Sequence, residues 1–171
     1  MKTVIIMMGV AGCGKSSLAQ AVGLANGLPM IEGDDFHSPE NREKMSKGIS
    51  LTDEDRAGWL SSLVKEIANH PAGCVLSCSA LKKAYRERLR EAGGDVLFVY
   101  LDIKKAEALR RVIDRSASHF FSANLVDSQF ATLESPEGEP DVMRLDAALP
   151  LIQLQEQVSR HLHDLHLSAQ D

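Results

Sequence analysis

Aromatic side chains are scarce: phenylalanine, tyrosine and tryptophan make up 5% of the 171 residues. Stacking platforms for single-stranded nucleic acid need such rings, so a binder of that kind is not expected. Positive charge is also short, the formal net charge being −5, whereas a general nucleic-acid binder is more often basic. The cysteines number three, Cys13, Cys74 and Cys78. They cannot all pair, no disulfide framework is indicated, and a reducing compartment, the cytoplasm, is the expected location. No stretch approaches 18 apolar residues, so no membrane span is expected. The opening MKTVIIMMGVAG holds only a short apolar run and leads directly into glycines. It reads as a first buried strand rather than a leader.

What is present is ordinary for a globular protein: 44% hydrophobic and 25% charged residues. A chain of this size buries roughly 70% of its unfolded surface, enough for one core. One domain over Met1–Asp171 is expected. Charge is unevenly spread. Residues 1–115 carry 17 basic and 15 acidic groups, whereas residues 116–171 carry only Arg144 and Arg160 against nine acids. Anionic ligands are expected at the first two thirds.

Apolar runs and helical spacings alternate along the chain. Strands are predicted at Thr3–Met8, Leu28–Ile31, Cys74–Cys78, Val96–Leu101 and Asp141–Leu145. Helices are predicted at Lys15–Asn26, around Glu40–Ser46, and at Asp53–Asn69, Leu81–Glu91, Lys104–Arg115 and Leu149–Leu165. Thr52 and Asp55 form an imperfect capping box before the third helix. Residues 116–140 read as irregular or partly helical. Such βα alternation implies an α/β fold, a parallel sheet with helices on both faces.

Gly9-Val10-Ala11-Gly12-Cys13-Gly14-Lys15-Ser16 fits GxxxxGK[ST] in full, between a predicted strand and a helix. Inward-turned N–H groups and the helix N-terminus cradle phosphate there. Lys15 is expected to bridge the β- and γ-phosphates of ATP, and Ser16 to ligate Mg²⁺. Cys13 reads as a small loop residue. The dinucleotide fingerprint GxGxxG is absent. No aspartate ends the third strand as a Walker B residue, and NKxD is missing, which turns the reading from motors and switches toward small kinases.

Phosphoryl transfer needs a group that orients the acceptor hydroxyl. Glu32, Asp34 and Asp35 end the second apolar run, on the rim where α/β folds bind ligands. Asp34 is the candidate base and Glu32 the candidate holder of the Mg²⁺ shell; the other reading is a solvated acidic turn. Downstream, His37, Lys44 and Arg56 are candidates for substrate binding, as is Arg86 on the basic fourth helix. An arginine fork suits a carboxylate or phosphate; a surface ion pair is the bland reading for Arg56, a structural histidine for His37. Arg111 and Arg115 lie four apart on one helix face. Arg115 is a candidate clamp on the transferring phosphate and Arg111 a candidate contact to nucleotide, with residues 116–135 as a lid. A solvated helix end explains them equally.

Through MGVAGCGKS (8–16), EGDDFHSPENREKMSKGISLTDEDRAGWL (32–60), SCSALKKAYRERLR (77–90) and HFFSANLVDSQFATLESP (119–136), the chain resembles the small P-loop gluconate kinases. The resemblance implies ATP-dependent phosphorylation of D-gluconate at its 6-hydroxyl. It implies a nucleoside-monophosphate-kinase-like fold with strand order 2-3-1-4-5 and a lid, a cytoplasmic location and a homodimer. The shared pattern includes Asp34, His37, Lys44, Arg56, Arg86 and Gln129. Glu32 stands where members usually carry aspartate. Two other readings stay open: another small-molecule kinase, of shikimate or adenylylsulfate type, and a non-catalytic nucleotide-binding regulator.

Overall fold

The computed structural model describes residues 2–115 and 124–170. Five strands, β1 (Thr3–Met8), β2 (Met30–Glu32), β3 (Gly73–Ser77), β4 (Asp95–Asp102) and β5 (Val142–Asp146), form one sheet. All its pairings are parallel and its order is β2-β3-β1-β4-β5, as the resemblance implies. Helices α1 (Lys15–Asn26), α2 (Pro39–Ser46), α3 (Asp53–Ala68), α4 (Lys83–Arg90), α5 (Lys105–Arg115), α6 (Asn124–Thr132) and α7 (Leu151–Ser168) connect and cover the strands.

The central strand shows why the sheet is covered on both faces. Successive side chains of a strand point to opposite sides. In β1, Ile5 and Met7 join a core with Leu18, Val99 and Val158, while Val4, Ile6 and Met8 join one with Trp59, Leu63 and Phe98. All five are fully buried. Cys74 and Cys78 pack in the second core, and burial pushes their thiols up to about 11 and about 12.

After β1 the chain moves to one side of the sheet, and between β3 and β4 it crosses to the other. β1 therefore lies at the switch in strand order, where parallel sheets open a crevice beyond their carboxyl ends. The phosphate loop leaves β1 at that point.

Two details of the second strand matter for the site. The chain leaves α1 through Gly27, in the left-handed region at φ 66°, and the Leu28 N–H still bonds back to Gly23 O at 2.9 Å. The predicted strand at Leu28–Ile31 therefore starts later, at Met30. At its far end, a Cβ on Gly33 would stand 2.2 Å from Ser77 O. Only glycine lets β2 pass this close to β3, and it delivers Asp34 to the mouth of the crevice.

The imperfect capping box is complete. Thr52 Oγ1 accepts from Asp55 N at 3.0 Å, and Asp55 Oδ2 accepts from Thr52 N at 2.9 Å. The expected lid is different in part. Residues 116–123 lie outside the described residues, whereas 124–132 form α6, a packed helix. Its Val126 enters the first core, and Leu125 closes a small cluster with Met45 and Leu51.

Candidate active site

The phosphate loop turns on three glycines with positive φ: Gly9 at 141°, Gly12 at 84° and Gly14 at 96°. At Gly12 a Cβ would lie 2.7 Å from Ala108 O, so glycine is also what lets α5 dock against the loop. Lys15 curls over the loop, its Nζ donating to Gly9 O and Val10 O, each at 3.1 Å. The ammonium is thus held on the concave side of the backbone, where phosphate oxygens need it.

Ser16 Oγ donates to Glu32 Oε2 at 2.5 Å and lies 3.3 Å from Ser77 Oγ. The two hydroxyls and the carboxylate gather at the adjacent ends of β2 and β3 and the start of α1. This is a hard-oxygen donor set with one carboxylate. It fits Mg²⁺, which keeps most of its shell as water and phosphate oxygens rather than taking a full protein cage. Among the described residues no cluster of three His, Cys, Asp or Glu side chains forms such a cage. Glu32 reaches the hydroxyl with its extra methylene, so the charge expected from aspartate is kept at this position. Ser77 was not singled out from the sequence. A polar residue ending an apolar strand was the available signal, and the register pairs it with Glu32.

Asp34 sits in a 3₁₀ turn, Gly33–Phe36, on the wall of the same cleft as Lys15, Ser16 and Glu32. Its carboxylate is half-exposed and lies 3.8 Å from His37 Nε2. His37 is nearly buried. Its ring stacks on Trp59, and the Trp59 Nε1 donates to Gly33 O at 2.8 Å. Burial first, then the charges of Arg42 and Arg56, lower its pKa to about 4, so it is a neutral imidazole near pH 7.

Arg56 is 8% exposed and also lines the cleft. Its Nη1 donates to Leu51 O at 2.9 Å and to Tyr85 Oη at 3.3 Å, and the guanidinium lies 5.5 Å from the Tyr85 ring centre. Tyr85 is itself held by donating to Asp53, which also takes the Lys82 ammonium at 2.8 Å. Hydrogen bonds from Lys82 and then Tyr85 keep the Asp53 carboxyl below its usual range. Nε and Nη2 of Arg56 have no protein acceptor among the described residues, and no buried polar side-chain atom there lacks a partner. Those N–H groups therefore face the open cleft.

Arg115, on the last turn of α5, lines the cleft from the opposite side. Arg111 stands one turn earlier. It donates to Glu107 at 3.0 Å, to Gly12 O at 3.3 Å and to Ala147 O at 3.0 Å. It ties the phosphate loop to the turn between β5 and α7 and lines a second recess there with Cys13, Ser17, Leu149 and Leu154.

Two expected substrate contacts do not reach the cleft. Arg86 is fully buried. Its five N–H groups are spent on Glu139, Ala80 O, Leu81 O and Glu134 O, leaving no donor for a ligand. It pins the chain after β3, where Ala80 takes φ 46°. Lys44 is paired with Asp55 at 2.8 Å and braces α2 against the start of α3. Gln129 does reach the cleft, with its Oε1 accepting from Ala11 N at 2.7 Å. The sequence pattern included it without assigning it a task.

The AAA-domain family profile matches residues 4–136, from β1 past α6. An APS kinase of Mycobacterium tuberculosis shares the fold, with a TM-score of 0.70 over 95% of this chain and 98% of that one at 20% identity. Sheet order, loop and cleft together make this a P-loop kinase. A gluconokinase of Gluconobacter oxydans (strain 621H) is 39% identical over 160 residues, covering 92% of this chain and 89% of the relative. The crystal structure of a gluconokinase from Sinorhizobium meliloti 1021 matches with a TM-score of 0.86 and 39% identity, covering 97% of both chains. The chain belongs to the gluconokinase family.

Proposed function

We propose that the protein transfers the γ-phosphoryl group of ATP to the 6-hydroxyl of D-gluconate, giving 6-phospho-D-gluconate and ADP. One observation carries this reading beyond the family name. A single cleft holds the phosphate loop, the half-exposed Asp34 carboxylate and the cleft-facing Nε and Nη2 of Arg56. These are the three functions that a sugar-acid kinase needs: donor cradle, acceptor orientation and recognition of a carboxylate.

The loop Gly9–Ser16 binds the phosphates of ATP through amides other than those of Gly9 and Ala11, which are bonded to Ser79 O and Gln129 Oε1, and Lys15 follows the charge that shifts from the γ- to the β-phosphate oxygens. The second recess, walled by Leu149 and Leu154, suits the base, with Arg111 fixing its floor. Ser16 and Glu32 would hold Mg²⁺, which when bound would supply neutralisation of the phosphate charge. Arg56 pairs with the gluconate carboxylate, a planar bidentate match. With the carboxyl end fixed, the far end of the chain presents its primary hydroxyl to Asp34. Asp34 accepts the hydroxyl proton as the oxygen attacks phosphorus. Neutral His37 beside it packs against and bonds to substrate hydroxyls without competing for that proton. Arg115 approaches from α5 and meets the charge on the transferring group. Helix α6, joined to the phosphate loop through Gln129, helps to keep water out of the transfer.

The same reading carries a homodimer and a cytoplasmic location. The three cysteines are free and buried, which suits a reducing compartment. No helix among the described residues is long and apolar enough to cross a membrane.

The test is an acceptor panel with ATP·Mg²⁺, read as ADP release. Gluconate should turn over well above shikimate and adenylylsulfate. Strong turnover of another acceptor with none on gluconate overturns the assignment, and ATP binding without acceptor-dependent ADP release on any sugar acid makes the protein a regulator.

A further inference from the structure

Gln129 stands on α6, three residues past Val126 and one turn past Leu125, which fix the helix to two separate apolar clusters. Its neighbour Ser128 accepts from Ser50 Oγ at 2.6 Å, and Asp127 pairs with Lys105 at 2.5 Å. The helix is thus held from both sides of the cleft, with the Gln129 carboxamide facing inward onto the phosphate loop.

The contact with Ala11 sets which way that carboxamide points. A backbone N–H can only donate, so the atom 2.7 Å away must be the oxygen. The NH₂ group then occupies the other branch. It has no acceptor among the described residues, and it faces the cleft shared with Lys15, Ser16 and Asp34. Ala11 belongs to the phosphate loop, so the carboxamide is fixed directly beside the phosphate cradle, in the cleft that also holds Asp34. A neutral double donor fixed at that place meets the oxygens of the phosphoryl group while it passes between two oxygens.

We propose that Gln129 is a further catalytic residue. Its oxygen is anchored by the Ala11 N–H, and its NH₂ hydrogen-bonds the phosphoryl group in transfer. This rests on the reading of the cleft as a kinase site. The reaction balances without it: the acceptor oxygen bonds to phosphorus, the bond to the β-phosphate oxygen breaks, and the hydroxyl proton goes to Asp34. Gln129 moves no proton. Its contribution is a preorganised dipole, which acts most strongly where charge redistributes. The anchor makes the donor part of the loop rather than a loose side chain, so the group is in place only when α6 is docked.

The test uses the full chain with Gln129→Met and Gln129→Glu. Methionine fills the same space with neither donor nor anchor, while glutamate keeps an oxygen for the Ala11 N–H and loses the donor. Gluconate turnover, ADP affinity and melting temperature are measured for both. The expected result is a fall in kcat on the order of 10²-fold in each, with ADP affinity within threefold of wild type, because ADP lacks the transferred group. If Gln129→Glu retains wild-type kcat, or if both variants lose ADP affinity in step with kcat, the residue is a latch for the loop and the proposal fails. If Gln129→Met keeps kcat within threefold, it fails as well. Should the wild type not use gluconate, the function proposed above falls separately. The variants are then read on slow transfer from ATP to water, where the same loss is expected and an unchanged rate refutes the role.

Discussion

The imidazole of His37 lies flat on the indole of Trp59, with ring centres 4.3 Å apart and planes 15° from parallel. Stacking places it out of water beside Asp34, with Asn41 Nδ2 3.4 Å from its Nδ1. Burial and the charges of Arg42 and Arg56 hold its pKa at about 4, against an ordinary value of 6.5.

Stability should fall with acid in a specific window. The unfolded chain takes up a proton on this ring as pH drops through 6.5, while the folded chain does not until about 4. Stability is therefore full above 6.5 and declines toward 4, by at most ~3 kcal/mol for the one group. Urea unfolding at pH 7.5, 5.5 and 4.5 measures this. His37→Phe keeps a ring against Trp59 but cannot titrate, so its decline over that window should be shallower. Parallel declines in the two proteins would contradict the assignment.

Glu32→Gln should act on the metal. The Ser16–Glu32 contact survives as a neutral hydrogen bond, but the negative charge is gone. The Mg²⁺ concentration for half-maximal rate should rise about tenfold, with the gluconate KM within twofold. Chelation of Mg²⁺ should abolish turnover in both proteins. A changed gluconate KM with an unchanged Mg²⁺ requirement would move Glu32 to the acceptor.

Arg56→Ala should lower kcat/KM for gluconate by roughly 2–5 kcal/mol, the cost of leaving a carboxylate unpaired in a closed site. Arg56→Lys should stay impaired, since a point charge cannot form the fork. Tyr85→Phe removes one anchor of the guanidinium and should raise the gluconate KM more mildly. A melting scan separates these effects from misfolding, because Arg56 is buried. If the ATP constant moves and the gluconate constant does not, Arg56 serves the donor.

Asp34→Asn keeps shape and loses charge. It should bind ATP·Mg²⁺ nearly normally and lose about 10²–10⁴-fold in kcat. Lys15→Ala should be at least as damaging, because Lys15 meets charge that moves during transfer. Near-normal kcat in Asp34→Asn would pass the proton-accepting role to Asp35.

Local signals carried the donor half of the site. β1 and α1 have the predicted bounds, because an apolar strand, a glycine turn and a helix start are written in consecutive residues. The acceptor half was legible only where the chain is short between partners, as from Glu32 to His37. Arg86 shows the limit. Its basic helix looked available for a ligand, and nothing near it in sequence says that Glu139, 53 residues later, takes its guanidinium. Lys44 is similar, its partner Asp55 lying 11 residues on in another helix. The sequence of α6 reads only as irregular or partly helical because nine residues with little charge have weak propensity of their own. Contacts of Val126 and Leu125 with distant elements hold it, and with it the inward face of Gln129.

The central claim is the identity of the bond made in the cleft. Incubation of the protein with ATP, Mg²⁺ and gluconate, followed by ³¹P and ¹³C NMR of the product, reads it directly. A phosphomonoester coupled to C6 of gluconate, formed in step with ADP, is the predicted result. A phosphoryl group on the carboxylate or on a secondary hydroxyl, or ADP formed with gluconate unchanged, would contradict it.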